Sequence, residues 1–371
     1  MKKILHIPNY YPPHVGGIED VCHSIVATLP EYEHQVICFH DQRQTVKELF
    51  EGVPVTRCGV LKKMFSQSVS FSFYNELKKI FRSFEPDIVH FHTPNPLSSV
   101  YLLLLLHRKT KLIVHWHSDI IEQDFLYMFY SPIENLLLKR ADKVVATSPT
   151  YIPGSKPLQS WNKEIVVIPN TVNESKLQKQ EGDEKTIAGI KQLYGGKKII
   201  FTFGRHVPYK GLKYLIEAAP LISDEAVVVI AGKGPLSNQL KELAQNYHSV
   251  HFIGFLDDDS LRCYLYASDI FAFPSVTRNE AFGIAMIEAM YCGLPVVTFT
   301  IPGSGVNWVC LDEKTGIESE NGNSAALAGA INKMVNDNTL RKHLGINAHR
   351  RVKDLFISKA IRESLIALYN D

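Results

Sequence analysis

Short β-branched runs alternate with longer helical stretches along this chain, and halfway along the alternation begins again. Such alternation is the pattern of parallel α/β layers, and a second series implies two doubly wound sheets instead of one large one. In the first half, strands are expected over residues 3–7, 35–39, 88–92, 112–117, 143–147 and 165–168, with helices over 18–29, 72–84, 98–106 and 132–140. The second half repeats the scheme with strands over 199–203, 227–231, 250–253, 270–273 and 296–299. Its helices are expected over 212–220, 236–246, 259–267 and 283–291. A length of 371 residues exceeds one typical core and suits two domains. The boundary falls at Pro169-Asn170-Thr171, and the polar stretch 173–185 reads as a linker or surface segment.

Bulk properties exclude several classes. A formal net charge of +2 gives no general attraction to nucleic acid. Six cysteines without a C-x-x-C pair argue against a zinc ribbon or thioredoxin-like site and fit reduced thiols in a cytoplasmic protein. The start, Met1-Lys2-Lys3 followed by Ile4-Leu5-His6-Ile7-Pro8, reads as a first strand and not as a signal peptide. The longest greasy run, residues 101–106, is far short of the roughly 20 residues that a spanning helix needs.

Four constellations carry chemistry. Glu280-Ala281-Phe282-Gly283-Ile284 leads through a helix to Glu288, directly after the buried strand 270–273. Gly283 opens that helix, where free amides and the aligned dipole attract phosphate and a missing Cβ permits close approach. Glu280 and Glu288 offer carboxylates to sugar and ribose hydroxyls, although the same spacing also fits an amphipathic helix with two solvated glutamates. The second constellation is the turn Gly204-Arg205-His206-Val207-Pro208-Tyr209-Lys210-Gly211 after strand 199–203. Its two cations suit a diphosphate leaving group, whose charge grows as a bond to it breaks. The third is Gly16-Gly17-Ile18-Glu19, a pair of glycines opening the first helix. No G-x-G-x-x-G fingerprint occurs, and Gly232-Lys233-Gly234 runs into Pro235, so a nicotinamide cofactor is poorly supported. The fourth is His115-Trp116-His117-Ser118-Asp119 at the end of a first-half strand. Two histidines on one strand face without a third ligand are thin grounds for a metal. Asp257-Asp258-Asp259 contains a D-x-D, but its place just before a helix marks it as a cap.

Taken together these residues resemble the retaining glycosyltransferases of family 4, end to end. Within the family, residues 115–120 and Ala146-Thr147-Ser148-Pro149 look most like mannosyl- and rhamnosyl-type enzymes of surface-polysaccharide assembly. The resemblance implies a GT-B fold: two Rossmann-like doubly wound lobes facing a central cleft. Residues 1–169 would form the acceptor-side lobe, with 357–371 packing back on it, and 170–356 the donor lobe. It implies that Arg205 and Lys210 bind the donor diphosphate, that Glu280 lies against the donor sugar, and that His117 contacts it near the reacting carbon. Glu288 would hold the ribose, and the amides of Phe282, Gly283 and Ile284 would meet sugar and phosphate. Gly16 and Gly17 would close over the donor or present the acceptor, and residues 252–255, with Gly254, would receive the base. The implied donor is a GDP- or UDP-linked sugar used without a metal or other cofactor, and the acceptor a saccharide, free or lipid-linked. A cytoplasmic protein is expected, with contact to the inner membrane through Lys62-Lys63-Met64-Phe65 and Lys78-Lys79 with Phe81-Arg82 left open. Tyr291, where a small residue is commoner, and Trp308 depart from the pattern. Two alternatives stay open: a non-catalytic nucleotide-sugar-binding protein and a sugar-nucleotide 2-epimerase.

Overall fold

The structure of the protein is a computed structural model. It describes the backbone of all residues except 15, 65–66 and 122–123, and the side chains of all except 15, 63–67 and 122–126. The chain divides into two compact units, Met1–Pro169 with Ile361–Asp371, and Asn170–Ala360.

The first unit is built on an eight-stranded sheet. Its strands are β1 (Lys3–Ile7), β2 (Glu33–Phe39), β3 (Val46–Phe50), β4 (Val53–Cys58), β7 (Ile88–Thr93), β8 (Lys111–Trp116), β9 (Lys143–Ala146) and β10 (Ile165–Val167). A separate hairpin pairs β5 (Lys62–Met64) with β6 (Gln67–Val69). The order across the sheet is β10-β9-β8-β7-β1-β2-β4-β3, parallel except for the β3–β4 pair. Both faces of β7 are buried along its whole length, as a central strand between helix layers requires. The chain order reverses between β1 and β7, so the loops after those strands flank a switch point.

The last helix, Ser358–Asn370, completes this unit. Lys2 Nζ and Lys111 Nζ donate to the carbonyls of Tyr369 and Leu368 at 2.8 and 2.7 Å, the cationic pairing that a helix C-terminus favours. The buried Tyr369 hydroxyl meets His90 Nδ1 at 2.7 Å. The return to the first unit begins at Ile361; Ile357 packs against the core of the second.

The second unit carries six parallel strands: β11 (Lys198–Phe203), β12 (Ala226–Ala231), β13 (Val250–Gly254), β14 (Ile270–Phe273), β15 (Val296–Phe299) and β16 (Gly316–Ser319). Their order is β13-β12-β11-β14-β15-β16, the doubly wound arrangement of nucleotide-binding sheets, with its switch point between β11 and β14. Two long helices, Ser324–Asn336 and Asn338–Leu355, close one side.

Two expectations need correction, and one reading left open is answered. The stretch 173–185 is mostly exposed, as a surface segment is, but it is not a linker. It holds the short helix Glu174–Leu177 and the start of the helix Asp183–Leu193, and it is anchored by a buried ion pair. Arg262 Nε meets Asp183 Oδ2 at 2.7 Å, and Tyr266 donates to the Leu177 carbonyl. One buried leucine and one buried charge pair hold a segment whose composition looks solvated. Second, the β3–β4 hairpin interrupts the expected alternation, because Lys47, Glu48 and Leu49 on the edge strand face solvent. Third, residues 78–82 present no apolar face. Phe81 is buried in the core, and Lys79 is tied to Glu76 at 2.6 Å. Of the other proposed membrane contact, Lys63, Met64 and Phe65 lie outside the described side chains.

Candidate active site

The second sheet brings two of the sequence constellations together at its switch point. The turn 204–211 leaves the end of β11, and residues 274–283 leave the end of β14, its neighbour. Gly211 has φ +61, and a Cβ there would run into the Pro274 carbonyl, so only glycine lets the two loops sit this closely. Val276 N donates to the Tyr209 carbonyl at 2.9 Å and pins them further. The result is a pocket lined by Gly204, Arg205, Lys210, Phe273, Pro274 and Ser275.

Inside it Lys210 Nζ lies 2.5 Å from Glu280 Oε2, and Ser275 donates to the same oxygen at 3.1 Å. Ser304 also donates to the Glu280 backbone carbonyl, which fixes the loop. Burial alone would lower the Lys210 ammonium, but the Glu280 charge and Tyr209 hold it above the usual lysine range. Lys210 is therefore a permanent cation, already desolvated and aimed; it also lies 5.1 Å over the Phe273 ring. Arg205 is exposed beside it at the pocket rim.

Gly283 caps the helix Ile284–Tyr291 at φ +96, a left-handed conformation that leaves the first-turn amides directed out of the helix. A Cβ at Gly283 would press on the Phe273 ring and the Met286 methyl. Phe282 is buried against Trp308 and Phe356, which holds the entry to this helix. Glu288 is half-buried one turn further along the same helix. Trp308 and Tyr291 act as packing residues: Tyr291 is buried, and its carbonyl accepts from His349 Nδ1. Asp257 caps its helix by accepting from Ser260 N at 2.8 Å, and Asp259 pairs with Arg262, so the D-x-D is structural.

A second pocket opens beside the first, between the ends of β12 and β13 and the turn after β11. It is lined by His206, Gly232, Lys233, Gly234, Ser237, Lys241, Phe252 and Gly254. His206 N donates to the Lys233 carbonyl, and a Cβ at Gly234 would strike His206, so the two loops interlock. Gly254 was expected here; Lys233, Ser237 and Lys241 were not. The signal for them lay in Gly232-Lys233-Gly234, which fails as a dinucleotide fingerprint but still makes a close-packed strand-end turn.

Gly16, Gly17 and His117 belong to the first unit. Gly16 is extended, and Gly17 starts the helix Gly17–Thr28. Glu19 in its first turn folds back so that a side chain at Gly16 would meet its carboxylate. Burial pushes the Glu19 carboxyl up to about 7. His117 follows β8, buried, with Nε2 2.9 Å from His92 Nδ1, and desolvation holds its pKa well below the usual range. It is a neutral ring in a network. The sequence singles out two histidines here, whereas the parallel register assembles six on one sheet face.

Comparison with known proteins matches this architecture in two pieces. The family model described as Glycosyltransferase Family 4 matches residues 15–176, and the one described as Glycosyl transferases group 1 matches 183–351. The O-antigen chain mannosyltransferase C of Escherichia coli is 28% identical over 99% of this chain and 98% of its own length. The D-rhamnosyltransferase WbpZ of Pseudomonas aeruginosa is 28% identical over 95% and 92%. Among solved structures, Anabaena Alr3699/HepE in complex with UDP and glucose superimposes with a TM-score of 0.77 at 20% identity, covering both chains fully. No helix among the described residues is long and apolar enough to cross a membrane.

Proposed function

Because the chain belongs to the group 1, family 4 glycosyltransferases of GT-B fold, we propose that it moves a mannose-type hexosyl unit from a nucleotide diphosphate sugar to a saccharide acceptor, with retention of anomeric configuration. The observation that carries this reading is the convergence of Lys210, Glu280 and the Gly283 helix start at the β11–β14 switch point. Cations and helix amides at a sheet's switch point suit a diphosphate, and the adjacent carboxylates suit sugar hydroxyls. Mannosyl and rhamnosyl transfer are what the names of the two full-length relatives state, which supports a role in surface-polysaccharide assembly.

In the proposed step an acceptor hydroxyl attacks the anomeric carbon on the face from which the diphosphate leaves. The bond from that carbon to the diphosphate oxygen breaks, and the acceptor proton passes to that oxygen. Arg205 and Lys210 stabilise the charge arriving on the diphosphate, so their contribution is largest in the transition state. The step needs no metal, since these cations supply the positive charge. Glu280 orients Lys210 before the donor arrives and then faces the sugar; Glu288 holds the ribose. The pocket at Phe252 and Gly254 takes the base, with Lys233 and Lys241 at its rim. His117, Gly16 and Gly17 serve the donor sugar from the first unit.

A lipid-linked acceptor is supported by exposed apolar side chains on the helices Pro96–Leu105 and Asp124–Arg140. Leu104, Met128, Phe129 and Leu136 are exposed there, near the exposed cations Arg108, Lys109 and Lys139. Apolar side chains beside basic ones suit the surface of an anionic membrane. The test of function is donor turnover: GDP-, UDP-, ADP- and dTDP-sugars are offered without added divalent metal, with lipid-linked saccharides as acceptors. Transfer from a GDP-linked mannose-type donor, with an α-linked product from an α-donor, is the expected result. Binding of a nucleotide without any turnover would establish a binding protein instead.

A further inference from the structure

The first unit contains a buried histidine cluster of which the transfer step uses only His117. His6, His34, His90, His92, His115 and His117 line one face of the sheet across β2, β1, β7 and β8, and all are buried. Their tautomers follow from one fixed point. The Leu29 carbonyl can only accept, so His34 Nε2, 2.8 Å away, donates to it. Desolvation holds His34 and His6 below the usual histidine range, so each ring is neutral and carries one proton. His34 Nδ1 is then bare and accepts from His6 Nε2 at 3.0 Å. His6 Nδ1 is left as a lone pair, buried and without a hydrogen-bond partner.

Two other groups lie close to the His6 ring. His92 uses Nδ1 on His117, which leaves its Nε2 buried and unpartnered. Cys22 sits on the inner side of the helix Gly17–Thr28, fully buried. One ligand atom each from His6, Cys22 and His92 lie within 4.8 Å of one another. A second group, His90, His92 and His115, is equally compact, but both nitrogens of His90 are engaged, by the Tyr369 hydroxyl and by His115 Nδ1. Of the two, the first offers its nitrogen donors without breaking a hydrogen bond. Unpaired buried nitrogens are costly, and a bound cation removes that cost.

We propose that His6 Nδ1, His92 Nε2 and Cys22 Sγ bind one thiophilic cation, zinc(II) or copper(I), which ties β1 and β7 to the helix opened by Gly16 and Gly17. Two imidazoles and a thiolate suit these ions and not magnesium or calcium, which take oxygen. Metal–nitrogen and metal–sulfur bonds of about 2.0–2.3 Å require ligand separations of about 3.3–3.8 Å, so the triangle, now within 4.8 Å, draws in on binding. On binding, the Cys22 S–H bond breaks, its proton leaves to solvent and the sulfur pair bonds the cation. The cation has to displace that proton, so uptake weakens as pH falls.

The test is metal analysis of the full chain. The purified protein is freed of loosely held metal by gel filtration and assayed for zinc and copper by mass spectrometry, then titrated with each ion against a chromophoric competitor. One retained equivalent of zinc identifies the zinc arm, and one of copper the copper(I) arm. Cobalt(II) as a probe gives a thiolate-to-metal absorption band. Cys22→Ser is expected to remove that band and weaken uptake by about 10–100-fold, whereas Cys310→Ser, in the other unit, leaves both unchanged. X-ray absorption on the wild-type chain, which needs no variant to fold, is expected to show sulfur in the metal shell. No retained metal and no uptake by the folded chain overturns the proposal, as does a shell without sulfur or uptake unchanged in Cys22→Ser.

Discussion

Lys210→Ala tests the site most directly, because it has two separable consequences. The Lys210 side chain removed is 17% exposed, and its ammonium sits 2.5 Å from the carboxylate of Glu280, whose side chain is 11% exposed. As a donor of positive charge to a leaving group in a dry pocket, it is worth about 2.7–4 kcal/mol of barrier, or about 10²–10³ in kcat. Its loss also strands Glu280 as a buried charge, which costs about 3–5 kcal/mol of stability when one partner of such a pair is removed. The second effect is relieved by adding Glu280→Gln; the first is not. The double variant should therefore melt close to wild type yet remain slow. The assay is single-turnover transfer at saturating donor, run beside thermal melting of the same preparations. A Lys210→Ala rate within about threefold of wild type, below 1 kcal/mol on the same scale, would refute the leaving-group role. Recovery of rate in the double variant would refute it as well, by showing that only folding had been lost.

Other outcomes follow from the same structure. Gly283→Ala places a Cβ at φ +96 against the Phe273 ring and should cost about 1–2 kcal/mol of stability, read by denaturant titration, together with a loss of donor affinity read by calorimetry. Glu134 is buried, with its carboxyl pushed up to about 7 by desolvation, from 4.5. The folded chain then keeps a proton that the unfolded chain has released, so stability falls as pH rises from about 4.5 to 7 and is level above. The change is about 3 kcal/mol at about 1.4 kcal/mol per unit. Glu134→Gln should flatten that slope in melts taken across pH, and an unchanged slope would discount it. Phe129→Asp should abolish salt-sensitive co-sedimentation with anionic vesicles while leaving transfer to a water-soluble acceptor analogue intact. Binding that persists in the variant would move the membrane face elsewhere.

Much of this molecule is legible in its sequence where local chemistry decides the outcome. The runs that form β1, β14 and β15 are β-branched or aromatic and bounded by turn residues, and Asp257 announces a cap. The glycines at 211 and 283 mark the turns that let loops approach. What stays hidden depends on register or on single distant partners. Asp183 reads as one more acid in a polar stretch until Arg262, 79 residues on, is folded against it. His6 and His34 carry no signal alone; parallel pairing of β1 with β2 and β7 sets them beside His90 and His92. Lys233 and Lys241 become neighbours of Phe252 only when three strand ends line up.

The helix Ser358–Asn370 has a consequence for biosynthesis. Its Tyr369 meets His90 across 279 residues of chain, and the whole second unit lies between them. A ribosome makes the second sheet before it supplies the element that covers His90. The nascent first unit must therefore wait, partly uncovered, while its neighbour is synthesised, and it becomes a candidate client for chaperones that shield apolar surface.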